Sequence, residues 1–198
     1  SEKIKLNKES TNSSFFKICY FGEINDNTGH SLKLILDSYD LINIDKFKIF
    51  IYGEGPDLNK YKSITKLKKL NYIFFKGKLK KKHLFKELVK ANLIVEPIDS
   101  SDTHQARFPI KMVESLFLNI PYLTAKIGIR KKILGDKYIY YKRDDSEDLA
   151  RKINVIFKDY SKYKRLFNLA RKRNTNLYNK EVVLTQFISK VERSMNMD

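Results

Sequence analysis

Residues 15–53, FFKICYFGEINDNTGHSLKLILDSYDLINIDKFKIFIYG, decide the fold. They open with FFKICYFG at 15–22, a β-branched and aromatic run that stops at Gly22. SLKLILDSYDLINI at 31–44 follows, with apolar residues at helical spacing. KFKIFIYG at 46–53 then repeats the first run, final glycine included. A strand, a helix and a second strand of the same kind make the unit of a parallel sheet. The alternation continues outward with a helix near 57–69, NYIFFKG at 71–77, a helix near 80–91, LIVEP at 93–97, a helix near 109–118 and PYLTA at 121–125. YIYYKR at 138–143 offers a sixth strand. Beyond it 147–158, 160–173 and 181–195 read as helices with Asp, Ser or Asn near their starts.

The expected fold is α/β: a Rossmann-like, doubly wound parallel sheet of five or six strands, with additional C-terminal helices. No Pro- or Gly-rich linker interrupts 15–195, so 15–198 is expected to be one domain and the polar stretch SEKIKLNKESTNSS at 1–14 a linker or tail. A length of 198 residues and 42 % hydrophobic content suit one domain with a substantial core. The net charge of +17, from 40 Lys and Arg against 23 Asp and Glu, favours nucleotide phosphates, nucleic acid and anionic lipid headgroups alike. Cys19 is the only cysteine, which excludes an intrachain disulfide and a thiolate metal cluster and fits a reducing cytoplasm. No run of 18 apolar residues occurs and 1–14 lack a signal-peptide core, so the chain is expected to be soluble and cytoplasmic.

In such a sheet, ligands sit beyond the C-terminal strand ends, which directs attention to the loops at 22–30, 53–57, 77–80, 97–109 and 125–130. GEGP at 53–56 lies between a strand and a helix, so Gly53 and Gly55 either let backbone approach a phosphate or simply make a tight turn. QARFPIKMVESLFLNIPYLTA at 105–125 says more. Pro109 near a helix start aims backbone N–H groups at an anion, and Arg107 and Lys111 add positive charge on that side, which suits a diphosphate. Glu114, one turn beyond Lys111, reads either as its surface partner or as an acceptor for ribose hydroxyls. DSSDTHQ at 99–105 reads as a polar, solvated loop. His30 and His83 have no metal-ligand spacing and no DxD-like pair sits where metal-dependent chemistry would need it, so no metal is expected.

Taken in order, the glycine-ended strand, the G-x-G-P strand end, the F-x-G strand end, the strand ending in Pro, P-x-K-x-x-E at 109–114 and N-I-P at 119–121 resemble the retaining GT-B glycosyltransferases of family four. The resemblance covers roughly 15–195. It implies one half of a GT-B fold, the C-terminal, donor-binding half of a glycosyltransferase. It further implies a ribose contact at Glu114, a diphosphate facing 107–111, a nucleobase along Gly77 to Leu79, and, as the alternative to a merely solvated loop, Asp102, His104 and Gln105 facing the transferred sugar. The donor-binding set is then Gly22, Gly53, Gly55, Gly77, Lys78, Arg107, Pro109, Lys111 and Glu114. The substrate would be a UDP- or GDP-sugar, used without a further cofactor, and the acceptor a glycan or lipid-linked glycan. The acceptor-binding N-terminal domain would lie outside this chain, removed by excision or supplied by a separate subunit; the polar 1–14 favour excision.

Three positions depart from the family pattern. Ala106 stands where a glutamate contacting the donor sugar is usual, Glu23 where an Arg is common, and Thr28 where a Lys is common. They motivate a competing reading, a relative of the family without catalysis. The ten lysines of 60–82, with no acidic residue among them, read first as a solvated face. The second reading is peripheral contact with the anionic inner face of a membrane, at about 1 kcal/mol per lysine. A nucleic-acid-binding module ranks third, because no RNP-type aromatic motif, zinc finger or recognition-helix pair is present.

Overall fold

A computed structural model describes residues 14–175. The elements run β1 (Phe16–Phe21), α1 (Leu32–Ser38), β2 (Phe47–Tyr52), α2 (Leu58–Leu67), β3 (Ile73–Gly77), α3 (Lys81–Leu88) and β4 (Leu93–Val95). They continue with α4 (Thr103–Ala106), α5 (Ile110–Leu118), β5 (Tyr122–Leu123), α6 (Arg130–Leu134), α7 (Ser146–Lys158) and α8 (Tyr160–Arg173). The strands form one sheet in the order β3-β2-β1-β4-β5, and every pairing is parallel. All six residues of β1 are buried, as a central strand covered on both faces requires. Helix α1 touches both α2 and α7, and α8 meets α5, α6 and α7. Ile18, Ile49, Leu93, Leu116, Leu123 and Phe167 are among the fully enclosed side chains. Each such aliphatic or aromatic group stabilises the fold by about 1.5–3 kcal/mol relative to exposure.

The sheet has five strands, and YIYYKR supplies none. Tyr141 makes a lone bridge to Ala125, and the run is apolar because its phenols work across the sheet end. Tyr138 Oη accepts from the Tyr122 N–H at 3.2 Å. Tyr141 Oη accepts from the Ile98 N–H at 2.6 Å and donates to the Glu96 carbonyl at 2.8 Å. The helix expected over 31–44 ends at Ser38, followed by a 3-10 turn at Tyr39–Leu41, because α7 takes the backbone groups beyond it: Asn154 accepts from Asn43 N–H and donates to the Leu41 carbonyl. Two short helices go beyond the sequence expectations: α4 lies within the loop at 97–109, and α6 begins where the loop at 125–130 ends. The helix expected at 181–195 and nearly all of the tail at 1–14 lie outside the described residues.

The chain reverses direction across the sheet between β1 and β4. Connections from β1 proceed towards β3, whereas those from β4 proceed towards β5. The loops after β1 and β4 therefore diverge and leave a crevice at the C-terminal rim.

Candidate functional site

The first loop, after β1, is zipped to the GEGP loop after β2. Gly22 N–H donates to the Tyr52 carbonyl at 3.0 Å, Ile24 N–H to the Glu54 carbonyl at 2.9 Å, and Asp57 N–H to the Ile24 carbonyl at 3.1 Å. A Cβ on Gly53 would overlap the Gly22 carbonyl oxygen, and one on Gly55 the Ile24 carbonyl oxygen. The close approach these two glycines allow is thus made by the neighbouring backbone. Gly22 is different, because the volume beside its Cα is filled by the ammonium end of Lys111.

Lys111 reaches that place from the first turn of α5, whose N-terminal cap is Pro109 with no side chain capping it. Its ammonium lies 5.2 Å from the Tyr20 ring centroid. Burial holds its pKa below the usual lysine value. Among the described residues it makes no hydrogen bond or ion pair. Glu23, the acid in the first loop, turns its carboxylate to Asn25 Nδ2 at 3.1 Å, while its carbonyl accepts from Tyr20 Oη at 2.7 Å. Arg107 is exposed and donates to the Thr28 carbonyl at 2.8 Å, which places a guanidinium beside the loop position that lacks a lysine.

Glu114 is one fifth exposed at the rim, and Lys81 of α3 pairs with it at 2.9 Å rather than Lys111. Gly77 takes a left-handed φ of 69°, and a Cβ there would meet nothing within 4 Å; Lys78 beside it is exposed. Lys111, Gly22 and Arg107 therefore gather around the first loop, with Glu114 and the Gly77 turn towards α3. Lys60 and Lys68 of the lysine run pair with Asp26 at 2.6 Å and Asp37 at 2.9 Å. No helix among the described residues is long and apolar enough to cross a membrane.

Sequence reasoning missed a buried polar cluster beneath this rim. Glu96, at the end of β4, accepts from Arg130 Nε and Nη2, each at 2.8 Å, and from Thr124 Oγ1 at 2.6 Å; His30 Nε2 lies at 3.3 Å. Burial opposes the Glu96 charge, yet Arg130 and His30 outweigh it and hold the carboxyl well below the usual carboxylate range. His104 of α4 joins through its carbonyl, 3.2 Å from Arg130 Nη1, and its Nδ1, 3.4 Å from Arg130 Nη2. Ligand atoms of His30, Glu96 and His104 lie within 4.8 Å of one another, the spacing of a metal triad. Both Glu96 oxygens are already engaged by a guanidinium, however, and a divalent ion would add charge beside Arg130 and Lys111, so the donor set does not suit a metal. The one sequence signal was Glu96 itself, a carboxylate closing the apolar run LIVEP, which needs a partner wherever it is enclosed.

Residues 1–173 match the model of the family described as glycosyl transferases group 1. The chain belongs to that family. No curated protein matches the sequence. Among solved structures, this glycosyl transferase chain is similar to HepE of Anabaena in complex with UDP and glucose, at 17 % identity and a TM-score of 0.71 over 91 % of this chain and 48 % of HepE. It is also similar to sucrose-phosphate synthase of Thermosynechococcus elongatus, at 15 % identity and 0.74 over 93 % of this chain and 47 % of that one. The catalytic domain of cholesterol-alpha-glucosyltransferase from Helicobacter pylori matches at 19 % identity and 0.68, over 82 % of this chain and 98 % of the other. At these identities the likeness establishes the fold, one half of a GT-B architecture. The group 1 chain spans about half the length of HepE and of the synthase.

Proposed function

We propose that this chain is the donor-binding half of a retaining glycosyltransferase and that its crevice holds a nucleotide diphosphate sugar, a UDP- or GDP-sugar. The observation that carries the reading is the Lys111 ammonium: withdrawn from water, set against the Tyr20 ring with no hydrogen bond or counter-ion among the described residues, and held over Gly22 at the start of α5. A desolvated cation without a counter-ion is unfavourable unless an anion completes it. With the N-terminal dipole of α5 and the nearby Arg107, it would stabilise charge growing on a leaving diphosphate without a metal. Glu114 would accept ribose hydroxyls after displacing Lys81, and the open Gly77 turn with Lys78 would line the base. HepE, whose structure holds UDP and glucose, supports this assignment by likeness of fold. The acceptor, a glycan or lipid-linked glycan, would be held by a second domain or subunit, with the exposed lysines of 60–82 resting against an anionic membrane face.

Thermal unfolding of the full-length protein with UDP, GDP and a short nucleic-acid duplex at two salt concentrations tests the reading. A nucleotide at 100 times its Kd should stabilise by about 2.7 kcal/mol, a rise of roughly 5–11 °C in Tm for a domain of this size. Salt-sensitive duplex binding with no nucleotide effect would replace the donor site by a nucleic-acid module. The non-catalytic reading, which Ala106 favours, is eliminated if the unaltered full-length protein turns over donor.

A further inference from the structure

A nucleotide diphosphate sugar runs in one line from ribose through two phosphates to sugar. With ribose at Glu114, on the α3 side, and phosphates at Lys111, the sugar falls to the opposite side, where the first loop meets α4. Residue 106 offers only a methyl group there. One buried group in α4 is left without a use inside the fold, the Nε2 of His104, whose residue is 1 % exposed.

The proton on that ring can be placed. A guanidinium only donates, so His104 Nδ1, 3.4 Å from Arg130 Nη2, accepts, and the ring hydrogen sits on Nε2. Burial, with the neighbouring His30, pulls the His104 pKa down to about 4 and keeps the ring neutral. The ring is fixed on its other sides, edge-on to His30 at 4.2 Å and with its own carbonyl bonded to Arg130. Its free N–H has no acceptor, which is uncommon for an enclosed polar group. Nε2 faces Gly29, where a Cβ would stand 2.9 Å from it and 2.7 Å from Ser101 Oγ. That end of the first loop is fastened on this side by an exposed contact, Arg107 to the Thr28 carbonyl.

We infer that His104 Nε2–H donates a hydrogen bond to a hydroxyl oxygen of the transferred sugar, reached when Arg107 turns from Thr28 to the diphosphate and the loop end at Gly29 lifts. The inference rests on the donor-binding reading and gives the sugar-facing side of α4 one specific donor, His104 Nε2–H. The fold holds the imidazole rigid and leaves its one remaining polar atom for an oxygen-rich ligand.

Calorimetric titration of the full-length protein with UDP and UDP-glucose, and with GDP and GDP-mannose, tests it. In the pair that binds, the sugar nucleotide should bind about tenfold tighter than its nucleotide, the scale of one hydrogen bond to an enclosed donor. His104→Phe should erase that difference and leave nucleotide affinity unchanged, whereas His104→Gln, which keeps a donor, should retain most of it. Unaltered nucleotide affinity reports in the same experiment that each variant is folded. The assignment is overturned if His104→Phe weakens nucleotide and sugar nucleotide alike, if it keeps the difference, or if the unaltered protein shows none. If neither UDP nor GDP binds the unaltered protein, the donor reading itself falls, and the sugar subsite with it.

Discussion

Two cations stand at the same rim of the sheet and meet opposite circumstances. Arg130 is fully enclosed, and Glu96 answers it with both carboxylate oxygens while the His104 carbonyl takes a third donor. Lys111 is also drawn out of water, but among the described residues it has the Tyr20 ring and no hydrogen bond or counter-ion. Each arrangement costs desolvation, and only the first is offset within the chain. The contrast separates a charge that holds the loops together from one that, on the proposed donor-binding reading, awaits a ligand. Arg130 ties β4, α4 and α6 into one unit, whereas Lys111 gives α5 no internal bond and fills the place beside Gly22.

Removing the guanidinium is the most drastic way to break the contrast. Arg130→Met leaves Glu96 enclosed without its guanidinium, with Thr124 and His30 still beside it, and should destabilise the protein by about 3–5 kcal/mol in urea denaturation. A loss below about 1 kcal/mol would mean that the pair is replaceable by packing and that α4 is held by something else. The deficit should shrink as the pH falls. Arg130 keeps the Glu96 carboxyl pKa depressed in the folded protein, so the stability it contributes is present above the unfolded carboxylate pKa of 4.5 and fades as the pH drops below it.

The same contrast marks how far the sequence could be read. The alternation of β1 to β5 with helices was legible because central parallel strands are enclosed on both faces and appear as unbroken apolar runs, as FKICYF does. YIYYKR carries the same signal for another reason: its phenols bond to backbone at the sheet end, so apolarity came without strand pairing. The helices α4 and α6, of four and five residues, are too short for periodicity to show. Lys111 and Glu114 were legible because they share one helix and one motif. Glu96, His104 and Arg130 were not, because residues far apart in sequence meet only when β4, α4 and α6 converge. Gly53 and Gly55 looked like Gly22 in sequence, since a glycine needed for backbone contact and one needed beside a cation read alike.

Lys111→Met sharpens the comparison from the other side. If the ammonium serves a ligand and not the fold, Tm should stay level or rise, because burial already disfavours its charge. Affinity for UDP or GDP should meanwhile fall about 10- to 100-fold, the loss of a charge-assisted hydrogen bond to phosphate. A variant that unfolds more easily while binding nucleotide as before would place Lys111 in the same class as Arg130.

Glu114 lies between these two cases, and the smallest expected effect decides which it follows. Its carboxylate is engaged, but by Lys81, a side chain 72 % exposed, so the pair adds well under about 1 kcal/mol to stability. Lys81→Ala should therefore leave Tm unchanged. With the competing ammonium gone, ribose hydroxyls meet an unpaired acceptor, and UDP affinity should rise by no more than about threefold. The gain should vanish with 2′,3′-dideoxy-UDP, which has no hydroxyl to offer. An equal gain for both nucleotides would show that Lys81 acts only through its charge. A loss for both would show that it holds phosphate alongside Lys111. Only a gain confined to the hydroxyl-bearing nucleotide puts Glu114 with Lys111, as a group whose true partner comes from outside the chain.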